Sequence, residues 1–483
     1  MLELFIMPGH AEIPPAVRSA IVFPAAQFDG ALLARLGKSG PRYTSYPTAD
    51  RFGADFGPGD YLEAVAARRQ RGGRPLSLYV HIPFCDTVCY YCACNKIVTR
   101  KHERAATYLD YLKREITMQS QLFAGMNEVE QLHFGGGTPT FLLDAEMDDL
   151  MAHLQASFRF ASDALGEYGI EVDPRTVSPE RVQSLRQQGF NRISLGVQDF
   201  DPDVQRAVNR VQPEAETVAI IDAARAAGFR SVSIDLIYGL PKQTLVSMAQ
   251  TLEKVIQASP DRISVYHYAH MPHLFKPQRR ILEADMPSAD TKLAMLQLCI
   301  ERLGAAGYVY IGMDHFAKPG DDLAVAQRQG RLHRNFQGYS THADADLVAC
   351  GVSSIGAVGA TYSQNAKTLE DYYALIDAGA LPLQRGIRLG MDDLLRRAII
   401  QKLMCQFELS VCAIEQAFPI VFAEHFAAEL AALRALQADG LVQVDDAWIS
   451  VTPKGRLLIR NLCMVFDRYL GQQAGGQRFS RTI

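Results

Sequence analysis

Short runs of β-branched and other apolar residues recur between residues 70 and 270, and each ends in a turn or a polar cluster. Six of these runs predict strands, at residues 76–82, 131–137, 168–174, 191–198, 231–241 and 262–270. The segments between them carry apolar residues at helical spacing, as in YLDYLKREITMQSQLF after the first run. Strands that alternate with helices of this length predict right-handed βαβ units and a parallel sheet. The alternation alone fits a doubly wound sheet or a partial (β/α) barrel.

The chemically distinctive residues favour the barrel because they follow the carboxyl ends of many strands. Cysteines follow the first strand and GGGTPT ends the second. Glu171, Gln198 and Ala269 end the third, fourth and sixth. A barrel builds its site from all its strand ends, whereas a doubly wound sheet concentrates its ligands at one switch point. We therefore predict an α/β fold, a partial (β/α)6 TIM-like barrel at residues 71–375.

The two ends of the chain have a different texture. Residues 1–70 mix turn residues with short apolar pieces and predict an N-terminal arm. Residues 376–483 combine helical patterns with LVQVDDAWISVT, a β-hairpin signal, and predict a mostly helical, winged-helix-like domain. Such domains often bind DNA, but no basic cluster dominates this one, so a lid or packing role is predicted.

Composition and charge narrow the class of protein. The chain has 483 residues, is 48% hydrophobic and carries a formal charge of −4, which gives no support for nucleic-acid binding. Nine cysteines, four of them within ten positions, argue against a secreted disulfide framework and predict a cytoplasmic protein. The start lacks a basic signal-peptide region, and the apolar stretch at 347–360 is too short to span a bilayer. We expect no nucleic-acid partner, no membrane association and a monomer.

Cys85, Cys89 and Cys92, in HIPFCDTVCYYCACNK, have the spacing C-x3-C-x2-C. Three thiolates on a 4Fe–4S cluster leave one of its four irons open, and an open metal position is typical of catalysis. A structural zinc site completed by Cys94 or a histidine is the alternative, but zinc sites usually pair their ligands as C-x2-C. The run resembles that of radical S-adenosylmethionine enzymes, in which the methionine amino and carboxyl groups chelate the fourth iron.

Two further motifs have structural alternatives. The glycines at 135–137 permit close approach of a ligand, or form a tight turn. Glu171 and Asp173, in IEVDP, are suited to binding ribose hydroxyls. Asp235 lies in an apolar strand, where an unpartnered carboxylate is costly. It therefore serves a ligand, or a salt bridge with Arg192 or Arg210.

Longer motifs narrow the resemblance. They are RYTSYPTA, LYVHIPFC, CACNKIVTR, LHFGGGTPT, IEVDPR, NRISLGVQDF, IDLIYGLPKQT, IGMDHFAKP and LHRNFQGYST, with a closing FSR. From about residue 40 to the end, the chain resembles the family of oxygen-independent coproporphyrinogen III oxidases. The first forty residues carry no motif of that family.

The resemblance implies that Cys85, Cys89 and Cys92 hold the cluster and that two S-adenosylmethionine molecules share the site. Positions that match contacts of the first molecule are Tyr79, Gly136, Glu171 and Ile355. Positions that match contacts of the second are Tyr91, Gly137, Thr138, Gln198, Arg210, Asp235 and Ala269. Cys94 matches a fourth family cysteine outside the cluster, with no role assigned. Tyr91 and Ala93 stand where the family more often has Phe and Gly.

The resemblance also implies a reaction. A 5′-deoxyadenosyl radical would abstract hydrogen from two propionates of coproporphyrinogen III, whose oxidative decarboxylation to vinyl groups gives protoporphyrinogen IX for haem. Such chemistry requires a low-potential electron donor and an electron acceptor that the sequence does not identify. A tetracarboxylate substrate favours arginine partners, and Arg42, Arg262 and Arg334 lie in the motif segments.

Three other functions remain open from the sequence. A haem chaperone of the same superfamily lacks the fourth cysteine and the RYTSYPTA segment, and carries N-x-x-Y-W where this chain has HRNFQGY. The single tryptophan, Trp448, lies far from that segment, which disfavours the chaperone. A radical enzyme with another substrate and a zinc-binding regulator are the remaining alternatives.

Overall fold

The computed structural model describes residues 25–37, 39–126 and 128–470. Contacts divide the chain into two compact units. The first, here the split unit, comprises the described residues of 1–48, 296–343 and 389–483. The second, the sheet unit, comprises those of 49–295 and 344–388. The predicted division at residues 70 and 375 stays a prediction.

The strands are β1 Leu76–Ile82, β2 Phe84–Cys85, β3 Ile97–Val98, β4 Glu128–Gly136, β5 Arg159–Phe160, β6 Glu167–Val172, β7 Arg192–Gln198, β8 Ser231–Tyr238, β9 Arg262–His267, β10 Val309–Gly312, β11 His315–Ala317, β12 His333–Asn335, β13 Gly338–Ser340, β14 Asp346–Cys350, β15 Ile355–Val358, β16 Thr361–Asn365, β17 Leu383–Arg388, β18 Glu408–Ser410, β19 Val442–Val444 and β20 Trp448–Val451.

The α-helices are α1 Gly30–Leu36, α2 Pro58–Gln70, α3 Glu103–Leu122, α4 Asp144–Ser157, α5 Pro179–Gln187, α6 Pro202–Ala207, α7 Glu214–Ala226, α8 Leu245–Ala258, α9 Ala289–Ala305, α10 Asp322–Arg328, α11 Leu369–Asp377, α12 Met391–Gln406, α13 Val411–Ala417, α14 Phe422–His425, α15 Ala427–Ala438 and α16 Ile459–Val465. In this part of the chain, none of them is both long enough and apolar enough to cross a membrane.

All six predicted strands form, and they lie side by side in chain order as β1, β4, β6, β7, β8 and β9. Every neighbouring pair is parallel. β1 is buried along almost its whole length, as expected for a parallel strand covered on both faces. The α/β class and the parallel sheet are therefore confirmed. Chain-order succession favours a partial barrel over a doubly wound sheet, whose order reverses at its switch point.

The sheet continues beyond β1 in a way that the sequence pattern did not predict. β14 pairs with β1 in parallel, and β15, β16 and β17 follow as antiparallel neighbours. The apolar stretch at 347–360 supplies two of these strands, and β14 is wholly buried. Ile355 is the first residue of β15.

The carboxyl-terminal part of the split unit contains the predicted helices and hairpin. β18, β20 and β19 form a three-stranded antiparallel sheet, and Asp445 accepts hydrogen bonds from the backbone at its β19–β20 turn. The helical patterns of this segment form α12 and then α14 and α15, which are divided at Phe426.

A buried carboxylate connects α3 with the turn between β14 and β15. Glu115 accepts hydrogen bonds from the Gly351 amide (2.7 Å), the Asn365 side-chain amide (2.7 Å) and the Tyr372 hydroxyl (2.5 Å). Burial raises the pKa of Glu115 to about 7, although the three hydrogen bonds oppose that shift. Asn365 also donates to the Gly351 carbonyl and to Ser354. The turn that leads into Ile355 therefore depends on this carboxylate.

We expect Glu115→Ala to lower the free energy of unfolding by about 3 kcal/mol, because it leaves buried donors unpaired and a cavity. The apparent Tm in differential scanning calorimetry should fall by about 5 °C or more. Glu103→Ala, an exposed change on the same helix, is the control and should shift it little. Equal shifts for the two variants would contradict the structural role of Glu115.

Candidate active site

The three cysteines follow the carboxyl end of β1. Cys85 ends β2, and Cys89 and Cys92 lie in the loop between β2 and β3. β2 and β3 pair in parallel, so the Thr99 amide donates to the Cys85 carbonyl (2.9 Å). Cys85 and Cys89 are buried and Cys92 is half-buried. Burial raises the pKa of the Cys85 thiol to about 11; the Thr138 hydroxyl opposes this shift, and nearby Cys92 and Cys89 add to it.

The surroundings of the sulfurs fit an iron–sulfur cluster. The Thr138 hydroxyl donates to Cys85 Sγ at 3.4 Å. Arg210 Nη1 and Arg175 Nη2 donate to Cys89 Sγ at 3.4 and 3.5 Å. Hydrogen bonds to sulfur stabilise cluster thiolates and tune their potential. In the part of the chain that the structure describes, no three His, Cys, Asp or Glu side chains converge as ligands of a single metal ion. A cubane cluster instead binds each thiolate on a different iron.

Cys94 lies beside the predicted cluster ligands and is exposed. Its hydrogen bond lowers the pKa of the Cys92 thiol, and Lys96 lowers it further, whereas burial works in the opposite direction. Lys96 also donates to the Cys92 carbonyl at 3.2 Å. The role of Cys94 outside the cluster stays a prediction.

The glycines at the end of β4 are required by close packing. A Cβ on Gly136, whose φ is +116°, would lie 2.7 Å from the His81 ring, and one on Gly137 would lie 2.7 Å from the Phe84 carbonyl oxygen. The amides of Gly137 and Thr138 donate to the Ile82 and Phe84 carbonyls. Close packing is therefore one reason for this motif, which fixes the end of β4 against the cysteine loop; ligand contacts of Gly136 and Gly137 stay a prediction.

Glu171, at the end of β6, is supported by two neighbouring groups. His133 Nε2 lies 3.1 Å from its Oε1, and the Gly136 amide donates to its Oε2 at 3.4 Å. Desolvation opposes ionisation, but the His133 contact and the Gly136 hydrogen bond outweigh it and lower the pKa of Glu171. Glu171 is thus an anion that can accept hydrogen bonds from a ligand's hydroxyl groups.

Asp173 is occupied by two arginines rather than free for ribose. Its Oδ2 lies 2.7 Å from Arg175 Nη2 and 3.0 Å from Arg210 Nη1. Arg210 also donates to the Gly196 carbonyl, and a Cβ on Gly196 would lie 3.1 Å from that guanidinium. The Asp173–Arg175–Arg210 group therefore joins the ends of β6 and β7 to Cys89.

Within the described part of the chain, no arginine pairs with Asp235, so the salt-bridge alternative for this residue is wrong. Arg192 pairs with Glu167 and Arg210 pairs with Asp173. Burial, together with the negative charge of Glu171, raises the pKa of Asp235 to about 7, and hydrogen bonds from Ser264 and Ser194 offset part of that shift. Asp235 can therefore change its charge near neutral pH.

Gln198 is the last residue of β7, and Ala269 follows the end of β9. Gln198 has φ +68° and follows a bulge between β7 and β8, which re-aims its side chain. The buried Gln278 amide donates to the carbonyls of Tyr91 (3.0 Å) and Ala269 (3.3 Å). It thereby connects two predicted contacts of the second S-adenosylmethionine.

Tyr79 belongs to a network on β1. Its hydroxyl lies 3.1 Å from His81 Nδ1, and its ring stacks on His133. Burial raises the pKa of Tyr79 well above its ordinary value. Tyr108 donates to the His81 carbonyl at 2.6 Å and accepts from the Val352 amide at 3.1 Å. This network links β1 to the turn that precedes Ile355.

The three candidate arginines for the substrate are divided between the two units. Arg262 is the first residue of β9, so it lies at the amino ends of the parallel strands, whereas the predicted site residues lie at their carboxyl ends. Arg42 and Arg334 lie in the split unit, where Arg42 pairs with Asp314 (2.9 Å) and its carbonyl accepts from Arg334 Nε at 3.4 Å.

The structure adds site residues that sequence reasoning missed. They are Arg175, His81, His133, Gly196 and Gln278. Arg175 lies in the IEVDPR motif and His81 lies in LYVHIPFC, so these motifs could have identified both residues as candidates for the site. Gln278 lies outside every quoted motif, and only the fold shows its contacts.

A parallel sheet whose first strand leads into a loop of three clustered thiols, with cationic donors on sulfur, defines the class of radical S-adenosylmethionine enzymes. The radical SAM superfamily model matches residues 79–255, and the HemN C-terminal domain model matches residues 390–458. The chain belongs to the family of oxygen-independent coproporphyrinogen III oxidases.

Relatives of that name resemble the chain over almost its full length. The protein from Pseudomonas aeruginosa is 52% identical, covering 95% of this chain and 99% of the relative. The protein from Escherichia coli K12 is 53% identical, covering 94% and 98%. The solved structure of Escherichia coli coproporphyrinogen III oxidase (HemN), described as a radical SAM enzyme, matches with a TM-score of 0.88 and 52% identity, covering 92% of this chain and 100% of that one.

We expect Arg175→Ala to lower the cluster's midpoint potential by about 20 to 60 mV, because one N–H···S hydrogen bond contributes about 0.5 to 1.5 kcal/mol. An anaerobic redox titration followed by electron paramagnetic resonance measures this shift. Arg181→Ala is the control, since Arg181 Nη2 donates to the Leu142 carbonyl and not to sulfur. An unchanged potential in Arg175→Ala would show that this donor does not tune the cluster.

Proposed function

We propose that this chain oxidatively decarboxylates two propionates of coproporphyrinogen III to vinyl groups without oxygen, giving protoporphyrinogen IX for haem synthesis. The supporting observation is the three-thiol loop, with its N–H···S donors, in a chain that matches relatives of this name over nearly their full length. When bound, the cluster and S-adenosylmethionine supply a 5′-deoxyadenosyl radical for hydrogen abstraction.

We propose that Cys85, Cys89 and Cys92 hold three irons and leave the fourth to S-adenosylmethionine. Burial favours the protonated form of the Cys85 thiol, whereas binding to iron would favour the thiolate that ligation requires. The end of β4 packs against this loop and keeps its ligands in register.

Two S-adenosylmethionine molecules in one site are part of the proposal. Tyr79, Gly136, Glu171 and Ile355 surround the first, through the β1 network and the Glu171 anion. Residues proposed for the second are Tyr91, Gly137, Thr138, Gln198, Arg210, Asp235 and Ala269. The Gln278 hydrogen bonds to two of them support a common site.

Arginines remain the proposed partners of the substrate carboxylates. Among the described residues, the buried Nη1 of Arg334 has no hydrogen-bond partner, so it retains a donor for a propionate. Arg42 is the second proposed partner, and Arg262 the third and least supported by position. We further propose a monomer in the cytoplasm that takes electrons from a low-potential donor and passes them to a separate acceptor.

Anaerobic reconstitution with iron and sulfide tests the function. With a reductant, S-adenosylmethionine, coproporphyrinogen III and cell extract as acceptor, the protein should form protoporphyrin, quantified by fluorescence chromatography after oxidation. Cys89→Ser should lose the cluster absorbance and all product. Cys412→Ser, at an exposed cysteine, is the control and should retain both. An intact cluster without product would favour the haem chaperone or another radical substrate.

Binding of S-adenosylmethionine should tighten about tenfold between pH 6 and pH 8. Asp235 loses its proton in this range, and the anion accepts hydrogen bonds from ribose and attracts the sulfonium, whereas the neutral acid does so weakly. Anaerobic calorimetric titration of the reconstituted protein measures the affinity. Asp235→Asn should flatten the dependence, and Glu103→Gln should leave it unchanged. A persistent rise in Asp235→Asn would assign it to another group.

A further inference from the structure

A strongly basic segment follows the cysteine loop directly. Residues 96–104, KIVTRKHER, contain four lysines and arginines and one acid, in a chain whose formal charge is −4. Arg100, Lys101 and Arg104 are exposed. The exposed Lys367 adds a cation nearby, because the Asn95 side chain donates to its carbonyl at 3.2 Å.

These cations differ from other exposed arginines of the sheet unit. Arg114 pairs with Asp377 and Arg159 pairs with Glu128. Within the described ranges, Arg100, Lys101 and Arg104 have no carboxylate within 4.0 Å. The acids in this segment and in the adjoining clefts are Glu103, Asp86, Asp144 and Glu370, of which Asp144 pairs with Arg181. The net positive field of this surface is therefore not neutralised by ion pairs.

Exposed apolar side chains accompany the charge. Val98, on the edge strand β3, is 44% exposed. Leu143 is 55% exposed and lines a cleft of about 660 Å³ together with His102 and Asp86. The ring centroids of His102 and Phe141 stack 4.5 Å apart, so the basic segment adjoins the cleft that Leu143 lines. An apolar centre beside a charged rim is typical of a protein–protein interface.

This surface lies very close to a cluster ligand. β3 pairs with β2, and the Thr99 amide donates to the Cys85 carbonyl at 2.9 Å. Neighbouring strands are about 4.8 Å apart, so the exposed Val98–Thr99 backbone is one strand spacing from the backbone of Cys85. An electron that reaches β3 is therefore one hydrogen bond away from Cys85, a proposed ligand of the cluster.

We infer that the surface formed by Val98, Arg100, Lys101, Arg104 and Leu143 is the docking site of a small, acidic, one-electron carrier protein. The inference rests on the proposed function and identifies the partner of that cluster. One electron leaves the reduced carrier and enters the oxidised cluster, and no atom is transferred. Opposite charges steer the two proteins together, and the contact weakens as salt screens them.

A bacterial flavodoxin, an acidic flavin carrier, is the probe. Biolayer interferometry of oxidised flavodoxin on the full chain should detect binding that the charge-reversing pair Arg100→Glu/Lys101→Glu weakens about tenfold or more at low salt. Stopped-flow bleaching of the reconstituted cluster by reduced flavodoxin should slow by a similar factor. Arg302→Glu/Arg434→Glu, an equal charge change at two exposed arginines of the split unit, is the control.

Dithionite, a small reductant that needs no docking surface, separates this inference from the proposed function. The measured quantity is the ratio of flavodoxin-supported to dithionite-supported formation of 5′-deoxyadenosine, so that a general loss of cluster cancels. A ratio reduced about tenfold in Arg100→Glu/Lys101→Glu alone supports the docking site. Unchanged binding and an unchanged ratio, or equal losses in the control pair, overturn it. Wild-type protein that forms no 5′-deoxyadenosine even with dithionite instead contradicts the proposed function.

Discussion

The site depends on one buried cation. Arg210 is almost fully buried, and its guanidinium contacts Asp173 at the end of β6, Cys89 in the loop after β1 and the Gly196 carbonyl on β7. Burial disfavours its charge, but Tyr91, Asp173 and Cys89 more than offset this, so the pKa of Arg210 is raised. A buried ion pair that loses one partner costs about 3 to 5 kcal/mol. The loop and two strand ends are therefore constrained together, and a cluster held there has a fixed electrostatic environment.

Close packing around this cation explains why small residues surround it. Gly196 leaves room for the guanidinium, and Gly136 and Gly137 let the end of β4 approach His81 and the cysteine loop. A side chain at any of these positions would push apart elements whose separation sets the ligand geometry. The same constraint extends to the far side of β1, where Glu115 and Tyr108 hold the turn before Ile355.

Two carboxylates on β6 and β8, the strands that flank β7, have opposite environments. The pKa of Glu171 is lowered, because His133 and the Gly136 amide outweigh desolvation. The pKa of Asp235 is raised to about 7 by burial and by the charge of Glu171, and the Ser264 and Ser194 hydroxyls and nearby His133 oppose only part of that shift. When the pKa values of two carboxyl groups are shifted apart in this way, one stays charged at neutral pH and the other changes its charge with pH. The division suits a site that binds a cationic sulfonium and the hydroxyl groups of ribose.

The sequence by itself determined the six parallel strands, the three cysteines and the family, because strand periodicity and motif spacing are local properties of the chain. It also indicated Arg210 and Asp235, but left open whether Asp235 serves a ligand or pairs with Arg192 or Arg210. Only the tertiary structure showed that those arginines pair with Glu167 and Asp173. β14 to β17 and the contacts of Gln278 were likewise decided by the fold. Each of these features brings together residues that are distant in the chain. A local sequence pattern does not show which polar groups become neighbours when the strands assemble.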